Sequence, residues 1–194
     1  MAFRESITNE ELKELPLRIF EGEIHVINNI EDARSAAHFL ADQPVLGFDT
    51  ETKPAFQKGR TNRVALLQFC TESEAFLFRV NNIGLPYELR KILSDPVVIK
   101  PGVAIRDDIK TLRAIGNFHP DGFVELQDRA KELGIQDFSL KKLTAIVLGF
   151  RISKSQQLTN WEADELSQAQ QIYAATDAWA TLEVYRKMTA LYKE

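Results

Sequence analysis

Residues 45–51 read Val-Leu-Gly-Phe-Asp-Thr-Glu, and this stretch decides the fold expected for the 194-residue chain. An apolar run that follows Pro44 and ends in a carboxylate predicts a strand over residues 45–49. Side chains two positions apart on a strand point to the same face, so Asp49 and Glu51 can converge on one point. Two such carboxylates repel each other unless a cation lies between them, and oxygen ligands favour hard divalent ions. A pair of solvated turn acids is the alternative.

A second constellation lies near the C-terminal end, where residues 172–178 read Ile-Tyr-Ala-Ala-Thr-Asp-Ala. Tyr173 and Asp177 are spaced i and i+4 in a strongly helical stretch, so they share one face of the helix. The alanines between and after them would let this helix pack closely against a sheet. Asp177 would then lie against the strand that carries Asp49. An amphipathic helix with an incidental tyrosine is the alternative.

A third constellation occupies residues 102–109, which read Gly-Val-Ala-Ile-Arg-Asp-Asp-Ile. A strand and a glycine turn lead here into a helix that begins with Asp107 and Asp108. Acids in the first turn of a helix usually cap free N–H groups and complement the helix dipole. One of the two acids can therefore cap the helix while the other binds an ion.

The patterning between these motifs predicts one mixed α/β domain. Strand patterns mark residues 18–27, 45–49, 63–70, 75–80, 97–99 and 123–126. Helical patterns mark a short helix opened by Thr8 and Glu11, then residues 30–41, 87–93, a segment from Asp107, another after residue 126 and most of the chain after residue 139. Three successive strands favour an antiparallel start, and β-α-β-α follows. We therefore expect a mixed five-stranded sheet flanked by helices in a single domain over residues 1–194, with residues 1–28 as an N-terminal arm.

Composition excludes several classes of protein. Apolar residues make up 44% and charged residues 27%, which is typical of a globular domain. The single cysteine, Cys70, excludes an intrachain disulfide and a Cys-rich zinc site, and is expected to be a core residue. Residues 1–9 lack the apolar stretch of a secretory signal, and no run approaches the roughly 20 residues that span a bilayer. A cytoplasmic protein without membrane contact is therefore expected.

The net charge of −4 argues against a polyanionic partner, but the basic residues are clustered. No acid separates the first cluster, which consists of Lys53, Lys58, Arg60 and Arg63. A second acid-free stretch holds Lys141, Lys142, Arg151 and Lys154. Each cluster is equally compatible with a phosphate track and with an ordinary solvated surface.

Taken together and in this order, the three acidic motifs resemble the DEDD superfamily of 3′–5′ exonucleases. The likeness is to its tyrosine branch, which includes ribonuclease D and the exonuclease domain of Werner-type helicases. The D-x-E motif falls on Asp49 and Glu51, and Y-A-A-x-D-A is present at residues 173–178. The aspartate of the second motif falls on Asp108 if residues 102–105 are aligned with the Werner-like form of that motif. Asp107 is the other candidate.

The resemblance extends to residues 59–60, 65–68, 140–143, 148–149 and 154–155, and to Trp161, for which a core position is expected. One departure is that Asp164-Glu165 stands where many members have Arg-Pro or a single Pro. A substrate contact made by that arginine is therefore in doubt.

The resemblance implies a ribonuclease H-like fold and hydrolysis of nucleic-acid 3′ ends to nucleoside monophosphates with two divalent cations, Mg²⁺ or Mn²⁺. Asp49, Glu51 and Asp177 would hold one ion, with Asp49 bridging to the second and Asp108 holding that second ion. Tyr173 would orient the attacking water. The candidate contacts to single-stranded DNA or RNA are Lys53, Arg60, Arg63 and Lys154.

Two other functions stay open at this point. A catalytically silent nucleic-acid-binding module could keep the same fold, although retention of all five motif residues weighs against it. A small-molecule nucleotide phosphohydrolase would share the metal chemistry but would not need a phosphate track. The preference for RNA or DNA and the oligomeric state are not determined by the sequence.

Overall fold

The computed structural model describes residues 3–55 and 62–191, and every structural statement below refers to these residues. The helices are α1 (Asn9–Glu14), α2 (Ile30–Ala41), α3 (Val80–Ile83), α4 (Tyr87–Ser94), α5 (Ile105–Ile115), α6 (Leu126–Glu132), α7 (Leu140–Leu148) and α8 (Gln168–Ala190). The strands are β1 (Glu23–Ile27), β2 (Gly47–Thr52), β3 (Val64–Cys70), β4 (Glu74–Phe78), β5 (Lys100–Gly102) and β6 (Phe123–Glu125). Among the described helices, none is long and apolar enough to cross a membrane.

The strands form a mixed sheet, as the sequence predicts. Four of them are hydrogen-bonded in the order β1-β4-β3-β2, with β1 parallel to β4 and the other pairs antiparallel. The predicted hairpin is therefore confirmed as β3–β4. A parallel pair, β5–β6, stands beside this sheet, and an isolated bridge between Val45 and Ile99 joins the two.

The number of strands differs from the predicted five, because the described residues contain six strands in two hydrogen-bonded groups. The additional strand is β1, the end of the predicted N-terminal arm, which pairs with β4 along its whole length. The predicted strand at residues 97–99 lies instead at Lys100–Gly102. Its ladder with β6 begins at Lys100, a buried lysine that does not have the apolar character expected of a strand core.

Helices cover both faces of the sheet. One face packs against α2, α4 and α5 through a core that includes Phe48, Phe69 and Leu40. The other face packs against α8, where Leu66 of β3 meets Tyr173 and other residues of that helix. Every residue of β3 is buried, because this strand has neighbours on both sides and on both faces. The long helix α8 is thus the element that closes the face on which Asp49 and Glu51 lie.

Small residues allow α8 to approach β2 very closely. Ala174, Ala175 and Ala178 are fully buried against the sheet. A Cβ atom at Gly47 would lie 2.0 Å from the carbonyl oxygen of Ala178, so only glycine fits at that position. Close packing of this helix through its alanines, which the sequence predicts, is confirmed. It brings Asp177 on α8 against the strand that carries Asp49.

Candidate active site

Three of the predicted carboxylates converge in the cleft between β2 and α8. Asp49, Glu51 and Asp177 each offer an oxygen atom, and these oxygens all lie within 4.8 Å of one another. The pleat of β2 turns the first two side chains to the same face, and one turn of α8 separates Asp177 from Tyr173. Asp177 is only 2% exposed, whereas the two strand acids are partly open to a cleft of about 400 Å³.

The structure places the two candidate acids of the second motif, Asp107 and Asp108, in different surroundings. The hydroxyl of Thr50 on β2 donates a hydrogen bond to Asp108 Oδ1 at 2.5 Å. This contact ties the start of α5 to β2 at the residue between Asp49 and Glu51. Asp107 is exposed, and its side chain makes no hydrogen bond among those seen in the described residues. Asp108 is close enough to Asp49 for its charge to raise the pKa of that acid. The sequence alone leaves this choice open, and the contacts with Thr50 and Asp49 favour Asp108.

Helix α5 is held at its first turn by an acid from a neighbouring strand. The Glu125 carboxylate accepts hydrogen bonds from the backbone N–H groups of Ala104 and Ile105, both at 2.9 Å. Ala104 has a left-handed backbone with φ of 59°, which is unfavourable for a residue with a side chain. Glu125 therefore serves as the cap at the start of α5 and leaves Asp108, one turn further on, to face β2.

Tyr173 and Lys154 stand together at the edge of the carboxylate cluster. The Lys154 ammonium group donates to Asp177 Oδ2 at 2.9 Å and to the Tyr173 hydroxyl at 3.4 Å. Its Nζ atom also lies 5.4 Å from the centre of the Tyr173 ring. The ring packs beside the fully buried Trp161, with centroids 5.9 Å apart, so the expected core position of Trp161 is confirmed. The Tyr173 hydroxyl is thereby fixed next to Asp177.

The pKa values show how unfavourable the negative charges are in this cleft. Burial, followed by the charges of Asp177 and Asp108, raises the pKa of Asp49 well above its usual range. Burial and the charge of Asp49 raise the pKa of Glu51 to about 10. Burial raises the pKa of Asp108 to about 6 and also raises that of Asp177. Bound cations would relieve this repulsion, because they favour the ionised form of each acid.

The donor set fits a hard divalent cation. All of the converging groups are carboxylates, which are the ligands that Mg²⁺ and Mn²⁺ prefer. Asp177 Oδ1 is buried and has no hydrogen-bond partner among the described residues, although a buried carboxylate oxygen normally has one. An ion shared with Asp49 and Glu51 would supply the missing partner for this oxygen.

The candidate substrate-binding residues lie at different places. Lys53 pairs with Glu162 at 3.2 Å at the open end of β2, and Arg63 is exposed just before β3. Arg60, like Lys58, lies outside the described residues. Lys154 is in the carboxylate cluster itself.

In the second basic cluster, two residues have partners outside the cleft. Lys142 pairs with Asp137 at 2.6 Å, and Arg151 Nε donates to the carbonyl oxygen of Leu15 at 3.0 Å. Of the four residues of this cluster, Lys154 lines the cleft.

Several residues around the site had no signal in the sequence. Thr50 and Glu125 position Asp108 through side-chain contacts with distant parts of the chain. Arg79, a buried residue after β4, donates to the backbone carbonyls of Ala163 and Asp164 and so anchors the loop that follows Trp161. These roles depend on tertiary contacts, which single residue types at these positions do not indicate.

A carboxylate cluster in a cleft of an α/β domain is the kind of site at which metal-dependent enzymes cleave phosphate esters. The chain belongs to the 3′–5′ exonuclease family, since a model of that family matches residues 24–193. The mouse bifunctional 3′–5′ exonuclease/ATP-dependent helicase WRN is 36% identical over 155 residues, which is 77% of this chain.

Two solved structures are similar in fold. The EXO domain of Aedes aegypti Nibbler has a TM-score of 0.80 at 24% identity, with 92% of both chains covered. Escherichia coli RNase D has a TM-score of 0.79 at 22% identity and covers 88% of this chain. The match spans 11% of the mouse protein and 45% of the RNase D chain. The ribonuclease H-like fold that the motifs imply is therefore confirmed.

Proposed function

We propose that this chain hydrolyses phosphodiester bonds at the 3′ ends of single-stranded DNA or RNA and releases nucleoside monophosphates. The observation that carries the proposal is the convergence of Asp49, Glu51 and Asp177 within 4.8 Å, with Asp108 beside them on α5. Membership of the 3′–5′ exonuclease family supports the reaction type and polarity.

The four acids would hold two divalent cations, Mg²⁺ or Mn²⁺. Asp49, Glu51 and Asp177 would share one ion, and Asp108 would hold the second together with Asp49. When bound, such a pair of ions activates water and stabilises the leaving oxygen of the phosphodiester. The acids themselves fix the ions and leave the open side of the cleft for the 3′-terminal phosphate.

Tyr173 would aim the attacking water with its hydroxyl group. Burial, followed by the negative charges of Asp177 and Glu51, raises the pKa of Tyr173 far above its usual value, so the hydroxyl keeps its proton. A protonated phenol can donate a hydrogen bond but is a poor ligand for a hard cation. Its position one helical turn before Asp177 supports a role beside the ions rather than as a ligand.

The basic residues near the cleft would contact the phosphates of the substrate strand. Lys154 is already inside the cleft, and Lys53 and Arg63 lie where β2 and β3 open towards solvent. Arg60, which belongs to the same acid-free stretch, is included on sequence grounds alone. Mutation of one such phosphate contact should weaken binding without changing which base is preferred.

The most direct test is digestion of matched RNA and DNA strands that carry a label at either the 3′ or the 5′ end, with Mg²⁺ or Mn²⁺ present. A 3′-labelled strand should release labelled mononucleotide at once, whereas a 5′-labelled strand should shorten stepwise. Asp49→Ala serves as the control and should be inactive while folded.

Two alternative functions give different results in the same assay. A small-molecule phosphohydrolase would cleave mononucleotide esters faster than oligonucleotides. A silent binding module would retain the strand without shortening it. Either result with the wild-type protein would contradict the proposal.

A further inference from the structure

Gln68 is a polar residue in the most buried part of the sheet. Its side chain is fully buried in β3, and neither its amide nitrogen nor its amide oxygen has a hydrogen-bond partner among the described residues. A buried amide without partners is unfavourable, and an apolar side chain of similar volume would avoid that cost. The neighbouring positions Leu66 and Leu67 are apolar, so the amide at residue 68 calls for a reason other than packing.

The position of Gln68 in the sheet supplies a reason for this buried amide. It lies directly opposite Asp49 in the antiparallel ladder between β2 and β3, so the two side chains emerge on the same face of the sheet. That face is covered by α8, because Leu66 and Cys70, which share it with Gln68, pack against Tyr173, Ala174, Ala175 and Ala178. The amide therefore lies between β3 and α8, beside the strand that carries Asp49.

Asp49 and Asp177, which lie on the neighbouring strand and on the covering helix, have unused acceptor capacity. Asp49 Oδ1 accepts a hydrogen bond from the backbone N–H of Thr50 at 2.9 Å, which leaves Oδ2 for other partners. Asp177 Oδ1 is itself buried without a hydrogen-bond partner in the described part of the chain. Carboxylates that ligate a metal are commonly hydrogen-bonded by neighbouring groups, and an amide N–H group can donate such a bond.

We infer that Gln68 is a positioning residue, whose amide orients the Asp49 carboxylate for ion binding through one ordered water. Gln68 does not touch the substrate, and it acts only through Asp49. The inference rests on the proposed metal-binding role of Asp49. Stability and function would then conflict at one residue, because the amide lowers the free energy of unfolding while it favours ion binding at Asp49.

The test compares the wild-type protein with Gln68→Met, which keeps the volume and removes the amide. We expect Gln68→Met to unfold in urea at the same or a higher denaturant concentration than the wild type. Calorimetric titration should show that Mn²⁺ affinity falls by about 10- to 100-fold, the usual effect of losing a partner of a metal ligand. The kcat on a 3′-labelled oligonucleotide should fall similarly, with KM little changed.

Two further variants keep the result interpretable. Leu67→Met alters the next residue of β3, whose side chain lies on the opposite face, so it controls for repacking of the strand and should leave Mn²⁺ affinity unchanged. Gln68→Asn retains an amide on a shorter side chain and should recover part of the kcat that Gln68→Met loses.

Wild-type kcat and Mn²⁺ affinity in Gln68→Met would overturn the inference. So would a marked loss of unfolding free energy without a loss of Mn²⁺ affinity, because the amide would then serve only the core. If the wild type binds Mn²⁺ but degrades no nucleic acid, the proposed function fails while the titration still tests Gln68. If the wild type binds no Mn²⁺, both the proposed function and the inference about Gln68 are wrong.

Discussion

The ammonium group of Lys154 lies 2.9 Å from Asp177 Oδ2, in the same cleft as the other acids of the site. Asp177 is almost completely buried, whereas the Lys154 side chain is 31% exposed, so the lysine has room to move and the aspartate does not. A divalent ion held by Asp177 would lie close to this ammonium group. Like charges repel, so the ion and the lysine compete for the same carboxylate.

Lys154→Met should therefore tighten the binding of Mn²⁺ to the free protein. A partly exposed ion pair is worth up to about 1 kcal/mol, which corresponds to roughly fivefold in affinity. The KM for an oligonucleotide should rise in the same variant, because a phosphate contact is lost. Calorimetric titration of Mn²⁺ checks the first effect, with Lys53→Met as the control because that lysine pairs with Glu162 instead. Weaker Mn²⁺ binding in Lys154→Met would mean that the lysine supports the ion.

Asp108 and Asp107 should differ sharply in importance. We expect Asp108→Asn to lower kcat by more than about 100-fold, because losing a ligand should cost more than losing a partner of a ligand. Asp107→Asn is the matched control, since this acid is exposed, and it should stay within about twofold of the wild type, as surface changes usually do. Single-turnover rates on one 3′-labelled strand compare the two. A severe loss in Asp107→Asn would assign the second motif to the other acid.

Tyr173→Phe removes one hydroxyl group and keeps the ring that packs beside Trp161. If the hydroxyl aims the attacking water, the rate of the chemical step should fall by roughly 10²–10⁴-fold. Mn²⁺ affinity and the free energy of unfolding should change little, because the tyrosine is not a ligand and its packing is kept. Single-turnover kinetics and calorimetry together check this. A rate close to the wild type would reduce Tyr173 to a packing residue.

Much of the fold followed from local signals in the sequence. The bounds predicted for the helix over residues 30–41 agree with those of α2, where Asn29 accepts the hydrogen bond of the Asp32 N–H group and so fixes the start. The strand predicted over residues 45–49 is shifted in the structure, because its hydrogen-bonded ladder with β3 begins at Gly47 and continues to Thr52. Strand bounds depend on the partner strand, which the sequence does not reveal, whereas helix caps are local.

In the candidate site, too, some features follow from local sequence and others depend on tertiary contacts. The convergence of Asp49, Glu51 and Asp177 could be predicted, because side-chain alternation in a strand and the period of a helix are local properties. The choice between Asp107 and Asp108 could not, since both begin the same helix and differ in tertiary surroundings, such as the contact of Asp108 with Thr50. Lys154 was expected at the substrate, but its position in the structure is set by Asp177, which is distant along the chain.

Lys100 provides a prediction about stability away from the site. It is fully buried and donates to the backbone carbonyls of Asp95 and Val98. Burial lowers the pKa of Lys100 from 10.5 to about 8. Below pH 8 both the folded and the unfolded chain carry this proton, and the folded state bears the full cost of burying the charge.

Between pH 8 and 10.5 the unfolded chain binds more protons at Lys100, so the contribution of this residue to stability rises with pH. The wild type should gain on the order of 3 kcal/mol relative to Lys100→Met across this window. Urea unfolding of both proteins at a series of pH values, in the presence of a chelator, measures this difference. A difference that stays constant from pH 7 to 10.5 would show that Lys100 is not titrating in this window.

Action of the carboxylate cleft on 3′ ends can be tested by comparing a circular single strand with the same strand after linearisation. Both are incubated with the purified protein and Mn²⁺, and the products are separated by length. We predict that the linear strand is shortened to mononucleotides while the circle survives intact, because it offers no 3′ end. Rapid cutting of the circle, absent in Asp49→Ala, would show an endonuclease at this site and contradict the account.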